Sequence, residues 1–389
     1  MRNIFVHIIW VLLAITITSL LFSGCTNRMS LEEIHSKTEE YFSDELQKKH
    51  IHNAFLTIYS PSKEIDWTFS GGHFADGREV TASNPFYTAS IGKTFTATAI
   101  ALLVDQQKLS FNDPINMYLP DSVMLNLHHF KGIDYSHEIT IAHLLQHTSG
   151  LPDYFEDSTI DGSTNVMELL FSNPDKYWYP TETIEFAKTK MKPLFKPGTD
   201  YHYTDTEYVL LGLIIEKVSS TALHHFFREH FFIPLNMKYS YMLYRSKAIN
   251  QTAMLSEIFV GDNEVSGMKS LSADWAGGGL VSTGADLIRF QETLFSGKIV
   301  KGNTLAAMQQ WIPETYGMEY GYGLRRIVFK ELFPILPDLT LIGHSGITGS
   351  FMYYCPEIDV YLSGTLNQTD EVKESVKLLV KILVLLNKN

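Results

Sequence analysis

The chain is predicted to be an α+β protein, an antiparallel sheet flanked by helices and interrupted by an inserted, mostly helical lobe. Three observations carry this. A helical pattern and two strand patterns open the folded part, residues 112–275 read mostly as helix cut by prolines, and strand patterns with a last helix close it. Strands from both ends of the chain can share one sheet if the middle is set aside as a separate lobe.

The first 24 residues stand apart. Arg2 gives a basic start, residues 4–22 are almost wholly apolar, and Ser23-Gly24-Cys25 puts small residues ahead of a cysteine. This resembles a bacterial lipoprotein signal, with 1–24 removed and Cys25 lipidated, although about 19 apolar residues also suffice for an uncleaved membrane anchor. Both readings export the rest of the chain. The lipoprotein reading places it in the bacterial cell envelope, held to a membrane by its N-terminal lipid. Residues 25–49 then form a tether and first helix, and residues 50–389 the folded body. If Cys25 carries lipid, only Cys355 remains of the two cysteines, so no intramolecular disulfide is expected. Cys355 reads as a buried strand residue.

Within the body each element has its own signal. Residues 31–46 set Leu31, Ile34, Tyr41, Phe42 and Leu46 on one helical face. Residues 54–59 and 65–69 read as strands joined by the turn at 61–64. Residues 91–103 are apolar or small on nearly every side, as in a helix buried all round. In the lobe, a helix near 207–218 opens with Thr204 and Glu207 in capping-box spacing. Strand patterns return at 323–329, 340–342, 350–355 and 360–366, and a helix over 371–386 closes the chain.

Composition narrows the function. The 389 residues are 45% hydrophobic and 19% charged, enough for a large core without metal or disulfide staples. A net charge of −12, with no basic run beyond Arg325-Arg326, argues against a phosphate-binding surface and so against nucleic acid as a partner.

Three short motifs carry chemistry: Ser90-Ile91-Gly92-Lys93, Tyr203-Thr204-Asp205 and His344-Ser345-Gly346. Residues three apart on a helix share a face, so Lys93 can hold its amine beside the Ser90 hydroxyl. A serine is a poor nucleophile until a base takes its proton. A desolvated lysine can be that base, or can hold a nearby tyrosine as phenolate. A serine at a helix start also has an N–H placed to meet an oxyanion.

Residues 86–95, Phe-Tyr-Thr-Ala-Ser-Ile-Gly-Lys-Thr-Phe, resemble the nucleophile segment of the class C β-lactamase and D,D-peptidase superfamily. Residues 108–115, 139–151 (ending His147-Thr148-Ser149-Gly150-Leu151), 195–198, 208–212 and 276–283 resemble further stretches of that family in the same order. The resemblance implies a β-lactamase/transpeptidase-like fold, no metal and no cofactor. It implies that Ser90 is acylated, that Lys93 assists its deprotonation, and that Tyr203 is general base for acylation and for the attacking water. Ser345 would bond a substrate carboxylate or carbonyl, Gly346 would let substrate approach the strand, and the Ile347 amide would complete an oxyanion hole with that of Ser90. His344 stands where relatives carry lysine, the form of family esterases and peptidases acting on D-amino-acid substrates. Asp205 departs from the usual Asn and, when ionised, has no N–H to offer a substrate carbonyl. Asp205 could pair with His344, hold a cationic substrate group, or simply favour the N-terminus of the following helix.

The implied activity is that of an envelope serine hydrolase, monomeric, acting through an acyl-enzyme on short D-amino-acid-containing peptides or small esters. β-Lactam hydrolysis is the alternative within the enzymes, and a catalytically weak penicillin-binding or scaffold lipoprotein the alternative outside them. Other features point elsewhere only weakly. His143 and His147 are four apart without an acidic third ligand at zinc-protease spacing, and read as turn residues. Gly277-Gly278-Gly279 matches neither a dinucleotide fingerprint nor a phosphate loop, and reads as a tight turn.

Overall fold

The helix expected over 31–46 forms as α1 (Leu31–Leu46) in a computed structural model that describes residues 28–389. Ser30 and Glu33 close a reciprocal capping box at its start. Cys25 and the rest of the lipoprotein-like segment lie outside the described residues.

The elements that frame the molecule follow in chain order. Strands β1 (Asn53–Ser60) and β2 (Ile65–Gly72) form a hairpin, and α2 (Gly92–Asp105) comes next. Helix α3 (Asp205–Ser219) belongs to the inserted lobe, and α4 (Gly284–Phe295) returns the chain to the sheet. Six strands follow: β3 (Ile312–Thr315), β4 (Met318–Tyr320), β5 (Arg325–Val328), β6 (Thr340–Ser345), β7 (Phe351–Cys355) and β8 (Val360–Thr365), before the closing helix α5 (Val372–Leu386). The sheet order is β3-β4-β5-β6-β7-β8-β1-β2, with every neighbouring pair antiparallel. The two ends of the chain thus meet where β8 pairs with β1, Phe55 opposite Thr365.

Alternation along the strands supplies two cores. On β1, Ala54, Leu56 and Ile58 face one way and are buried with Leu379, Ile382 and Leu386 of α5 and Ile34 and Phe42 of α1. Phe55 faces the other way, into a core shared with Phe95 of α2, Leu287 and Phe290 of α4 and Leu210, Leu211 and Ile214 of α3. That second core joins sheet and lobe. The lobe holds short helices such as Pro180–Lys190 as well as α3, with two small strand pairs, His129–Phe130 with Ile133–Asp134 and Phe259–Val260 with Asn263–Glu264.

Several expectations are corrected in detail. The β3–β4 hairpin is not visible in the pattern, because its strands are short, carry Pro313 and Glu319, and lie at the sheet edge where alternation is weak. The strand expected over 323–329 is shorter, since Gly323 has φ +65° and the chain turns helical at Phe329–Leu332. The strand expected over 340–342 runs on to Ser345, so the third motif ends a strand. No capping box joins Thr204 and Glu207: Thr204 accepts from the Thr206 N–H at 3.1 Å, while Glu207 turns to His147 and Ser149.

Candidate active site

Ser90 sits in a single tight turn, Ala89–Ile91, that feeds α2. Ala89 holds φ +46°, a left-handed conformation that costs a non-glycine residue of order 1–3 kcal/mol and persists where surroundings enforce it. Those surroundings are specific. Ser350 donates to the Thr88 carbonyl at 2.7 Å, Thr348 to that of Tyr87 at 3.3 Å, and the Thr88 N–H and hydroxyl both donate to Leu280 O at 2.9 Å. The segment after β6 and the strand Leu280–Ser282 therefore clamp the turn from two sides.

The short helix Trp275–Gly278 packs beneath it. A Cβ on Gly278 would come within 2.2 Å of Asp274 Oδ2 and 2.7 Å of the Ala89 carbonyl carbon, so glycine is what lets the two backbones touch. The run 277–279 is a packing surface under the serine.

Lys93, one helical turn on, is wholly buried. Its ammonium lies 3.3 Å from Ser90 Oγ and 3.3 Å from the Gly277 carbonyl, and it donates a very short hydrogen bond to Asp205. Burial works against the charge, but Asp205 foremost, then Tyr203 and Asp274, hold Lys93 well above the ordinary lysine range. The resting amine is therefore protonated, which corrects the expectation of a lysine made basic by desolvation. The Asp205–His344 pairing is also corrected, because Asp205 spends its carboxylate on Lys93. Asp205 still heads α3, its own N–H donating to Asp153 Oδ1 at 3.0 Å.

Tyr203 stands on the same side. Lys93 Nζ lies 4.8 Å from its ring centroid. Burial pushes the Tyr203 phenol up to about 12, with Lys93 pulling it down, Asp205 pushing it up and Arg325 pulling it down. A tyrosine next to a fixed ammonium can take a proton from Ser90 more readily than one left alone in this buried place.

The third motif is laid out along the end of β6. His344 is wholly buried; Nε2 meets the Tyr320 hydroxyl at 3.0 Å and Nδ1 the Ser345 carbonyl at 2.8 Å. Burial, then Arg325 and Lys93, keep it well below the usual histidine range, and it is not among the residues that line the cleft. Ser345 receives a hydrogen bond from Arg325 at 3.4 Å. Gly346 differs from expectation too: a Cβ there would strike Ser350 Oγ at 2.4 Å and the Thr88 carbonyl at 2.6 Å, so its bareness admits the serine turn, not a substrate. Ile347 is 48% exposed and lines the same cleft as Ser90.

The pattern alone did not single out Arg325 for this role. From β5 it is gripped by Glu314 through two contacts, at 2.6 and 2.7 Å, and its guanidinium lies 5.8 Å from the Tyr203 ring centroid. Its signal was the pair Arg325-Arg326 in a strand two residues after Gly323. His143 and His147 do not converge on a common point: His143 Nδ1 accepts from the Thr140 N–H at 3.2 Å, and His147 Nδ1 faces Glu207 at 2.6 Å.

Ser90, Tyr203, Asp205 and Ile347 open on one cleft of about 350 Å³. Its far wall is apolar, with Phe155, Met167, Leu170, Phe171, Met268 and Leu271. Four acidic residues, Asp153, Glu156, Asp205 and Asp274, also line the cleft. Asp274 accepts from the Tyr87 hydroxyl at 2.7 Å, and burial, with Asp205 adding to it, lifts its carboxyl to about 7.

The model of the Beta-lactamase family matches residues 38–386. Penicillin-binding protein 4* of Bacillus subtilis is 27% identical over 279 residues, 66% of this chain and 55% of that protein. This chain thus spans about half the length of that relative. In fold, it resembles the D-amino acid amidase of Ochrobactrum anthropi SV3, complexed with L-phenylalanine amide (TM-score 0.74, 22% identity, 91% of this chain and 98% of that one). It also resembles EstCE1, a hydrolase with promiscuous acyltransferase activity (TM-score 0.74, 17% identity, 90% and 98%).

Proposed function

This chain belongs to the Beta-lactamase family, and from that premise we propose that it is a serine hydrolase working through an acyl-enzyme on Ser90. The observation that carries the reading is Ser90 Oγ held 3.3 Å from the Lys93 ammonium, on a strained turn at the mouth of an apolar cleft. Lys93 holds Tyr203 toward its phenolate form. Tyr203 takes the Ser90 proton as Oγ bonds to the acyl carbon, and the tetrahedral oxygen is met by the N–H groups of Ser90 and Ile347. Tyr203 then returns the proton to the departing amine or alcohol. A water deprotonated by the same phenolate then adds to the ester carbon, and Tyr203 hands that proton to Ser90 Oγ as the acid departs.

The substrates are short peptides containing D-amino acids, or small esters. The apolar wall supports an acyl group with a hydrophobic side chain, and the fold is shared with a D-amino acid amidase and with a hydrolase of acyltransferase activity. Asp205 argues against efficient β-lactam turnover, since a carboxylate engaged with Lys93 has no N–H for the lactam side chain. We place the enzyme in the bacterial cell envelope, tethered through Cys25, acting as a monomer. The tether is supported by the lipoprotein-like segment at the start of the chain.

The test is a panel of D-amino-acid amides, D-Ala-D-Ala peptides, short-chain esters and nitrocefin, run on wild type and Ser90→Ala. Turnover of an amide, peptide or ester by wild type and not by Ser90→Ala is the expected result. Equal, near-zero rates across the panel would favour a scaffold that has kept the fold without turnover.

A further inference from the structure

His147 is buried, is not needed for the acyl-transfer chemistry above, and yet grips both neighbours of Tyr203. Its backbone carbonyl accepts from the His202 N–H at 2.9 Å, and its Nδ1 accepts from the Thr204 N–H at 3.3 Å. Its ring lies against the Tyr203 ring, centroids 4.3 Å apart. Both reaches start from one residue because His147 adopts φ +59°, a left-handed conformation with no glycine to ease it. Strain of that kind, held in place by the surroundings, is a pointer to function.

Glu207, from the first turn of α3, fixes the imidazole. Its Oε2 lies 2.6 Å from His147 Nδ1 and its Oε1 accepts from the Ser149 N–H at 3.1 Å. Neither side chain reaches solvent. Nδ1 accepts from Thr204, so the proton in the short contact belongs to Glu207, which donates as a carboxylic acid. Burial acts in the same sense, holding Glu207 well above and His147 well below their ordinary ranges. The couple is then neutral, and it places no net negative charge beside a tyrosine that must lose a proton. His147 Nε2 is buried without a partner, surrounded by the rings of Tyr201, Tyr203, Tyr208 and Tyr320.

Resting on the reading of Tyr203 as general base, we infer that His147 and Glu207 are a neutral positioning couple that sets the place of the Tyr203 phenol. Neither touches the reacting atoms. Misplacing a catalytic group by about 1 Å costs on the order of a hundredfold in rate.

The test uses the full chain and a p-nitrophenyl ester that wild type turns over. Glu207→Gln keeps both hydrogen bonds, its carboxamide donating to Nδ1 and accepting from Ser149, and should keep kcat within about threefold. His147→Phe keeps the ring contact and loses both Glu207 and Thr204. It should lower kcat by about ten- to a hundredfold with KM changed less than about threefold. In a Tyr203→Phe background the same His147→Phe change should have almost no further effect, because its action runs through the phenol. Should His147→Phe fail to fold, Glu207→Leu takes its place in the same cycle.

A folded His147→Phe enzyme with wild-type kcat overturns the inference. So does a rate loss that persists in full when Tyr203 is already Phe, the mark of a merely structural role. A Glu207→Gln enzyme as damaged as His147→Phe overturns the neutral state. Tyr203→Phe with full activity would refute the general-base reading itself. An inactive Tyr203→Phe beside an unaffected His147→Phe refutes only the positioning role.

Discussion

Lys93 gives its ammonium to Asp205, and the same ammonium lies 3.3 Å from Ser90 Oγ. The negative charge of Asp205 holds the Lys93 proton on and also raises the Tyr203 phenol. The first effect keeps the ammonium that favours a phenolate at Tyr203, and the second pushes that phenolate to higher pH. Activity should therefore rise with pH through the neutral and alkaline range, governed by a phenol near 12 in the resting protein. Asp205→Asn removes the charge that raises the Tyr203 phenol, so the rising limb of kcat/KM should move to lower pH by on the order of one unit. The amide also supplies the missing N–H, and acylation by benzylpenicillin should quicken by about tenfold. A pH–rate profile and a penicillin acylation time course check the two effects.

The same pair makes a stability prediction. Lys93→Met leaves Asp205 without its cation in a nearly closed site, and breaking a buried pair from one side costs about 3–5 kcal/mol. Lys93→Met combined with Asp205→Asn should recover most of that loss while remaining inactive. Urea denaturation of the two variants separates the structural from the chemical duty of Lys93.

Gly278 is predicted to be intolerant of even one methyl. A Cβ there meets backbone at 2.7 Å on the side of Ala89, and backbone cannot swing away as a flexible side chain can. Gly278→Ala should keep a cooperative unfolding transition and lose on the order of a hundredfold in ester turnover, through displacement of the Ser90 turn.

Much of this was legible in the sequence, and what was missed has physical reasons. Residues 31–46 and 371–386 carry strong one-sided apolar periodicity, and both helices form within a residue of their expected limits. The Ser90–Lys93 spacing translated directly into the observed contact, because both lie on one turn leading into one helix. The partners of Asp205, His344 and Glu207 were not legible. Asp205 reaches Lys93 across 112 residues and His147 meets Glu207 across 60, and no local pattern reports such meetings. Gly346 was read as room for substrate because a glycine's empty side has no direction until the chain is folded. Arg325 stood out only as half of a basic pair, since nothing in a strand pattern tells that Glu314 waits two strands away.

The apolar wall predicts selectivity for the acyl group. Phe171 is exposed at the edge of the cleft that Met268 and Leu271 also line. Phe171→Ala should lower kcat/KM for an aromatic acyl ester relative to the acetyl ester by about tenfold, the worth of one lost apolar contact surface. Paired ester kinetics on wild type and variant give that ratio directly.

The most direct test of the central claim is intact-protein mass measurement after exposure of the folded, full chain to a fluorophosphonate. The account predicts one added phosphonyl group on wild type, mapped to the peptide holding Ser90, and none on Ser90→Ala. An unmodified wild-type protein, or an adduct on another residue that survives Ser90→Ala, would contradict it.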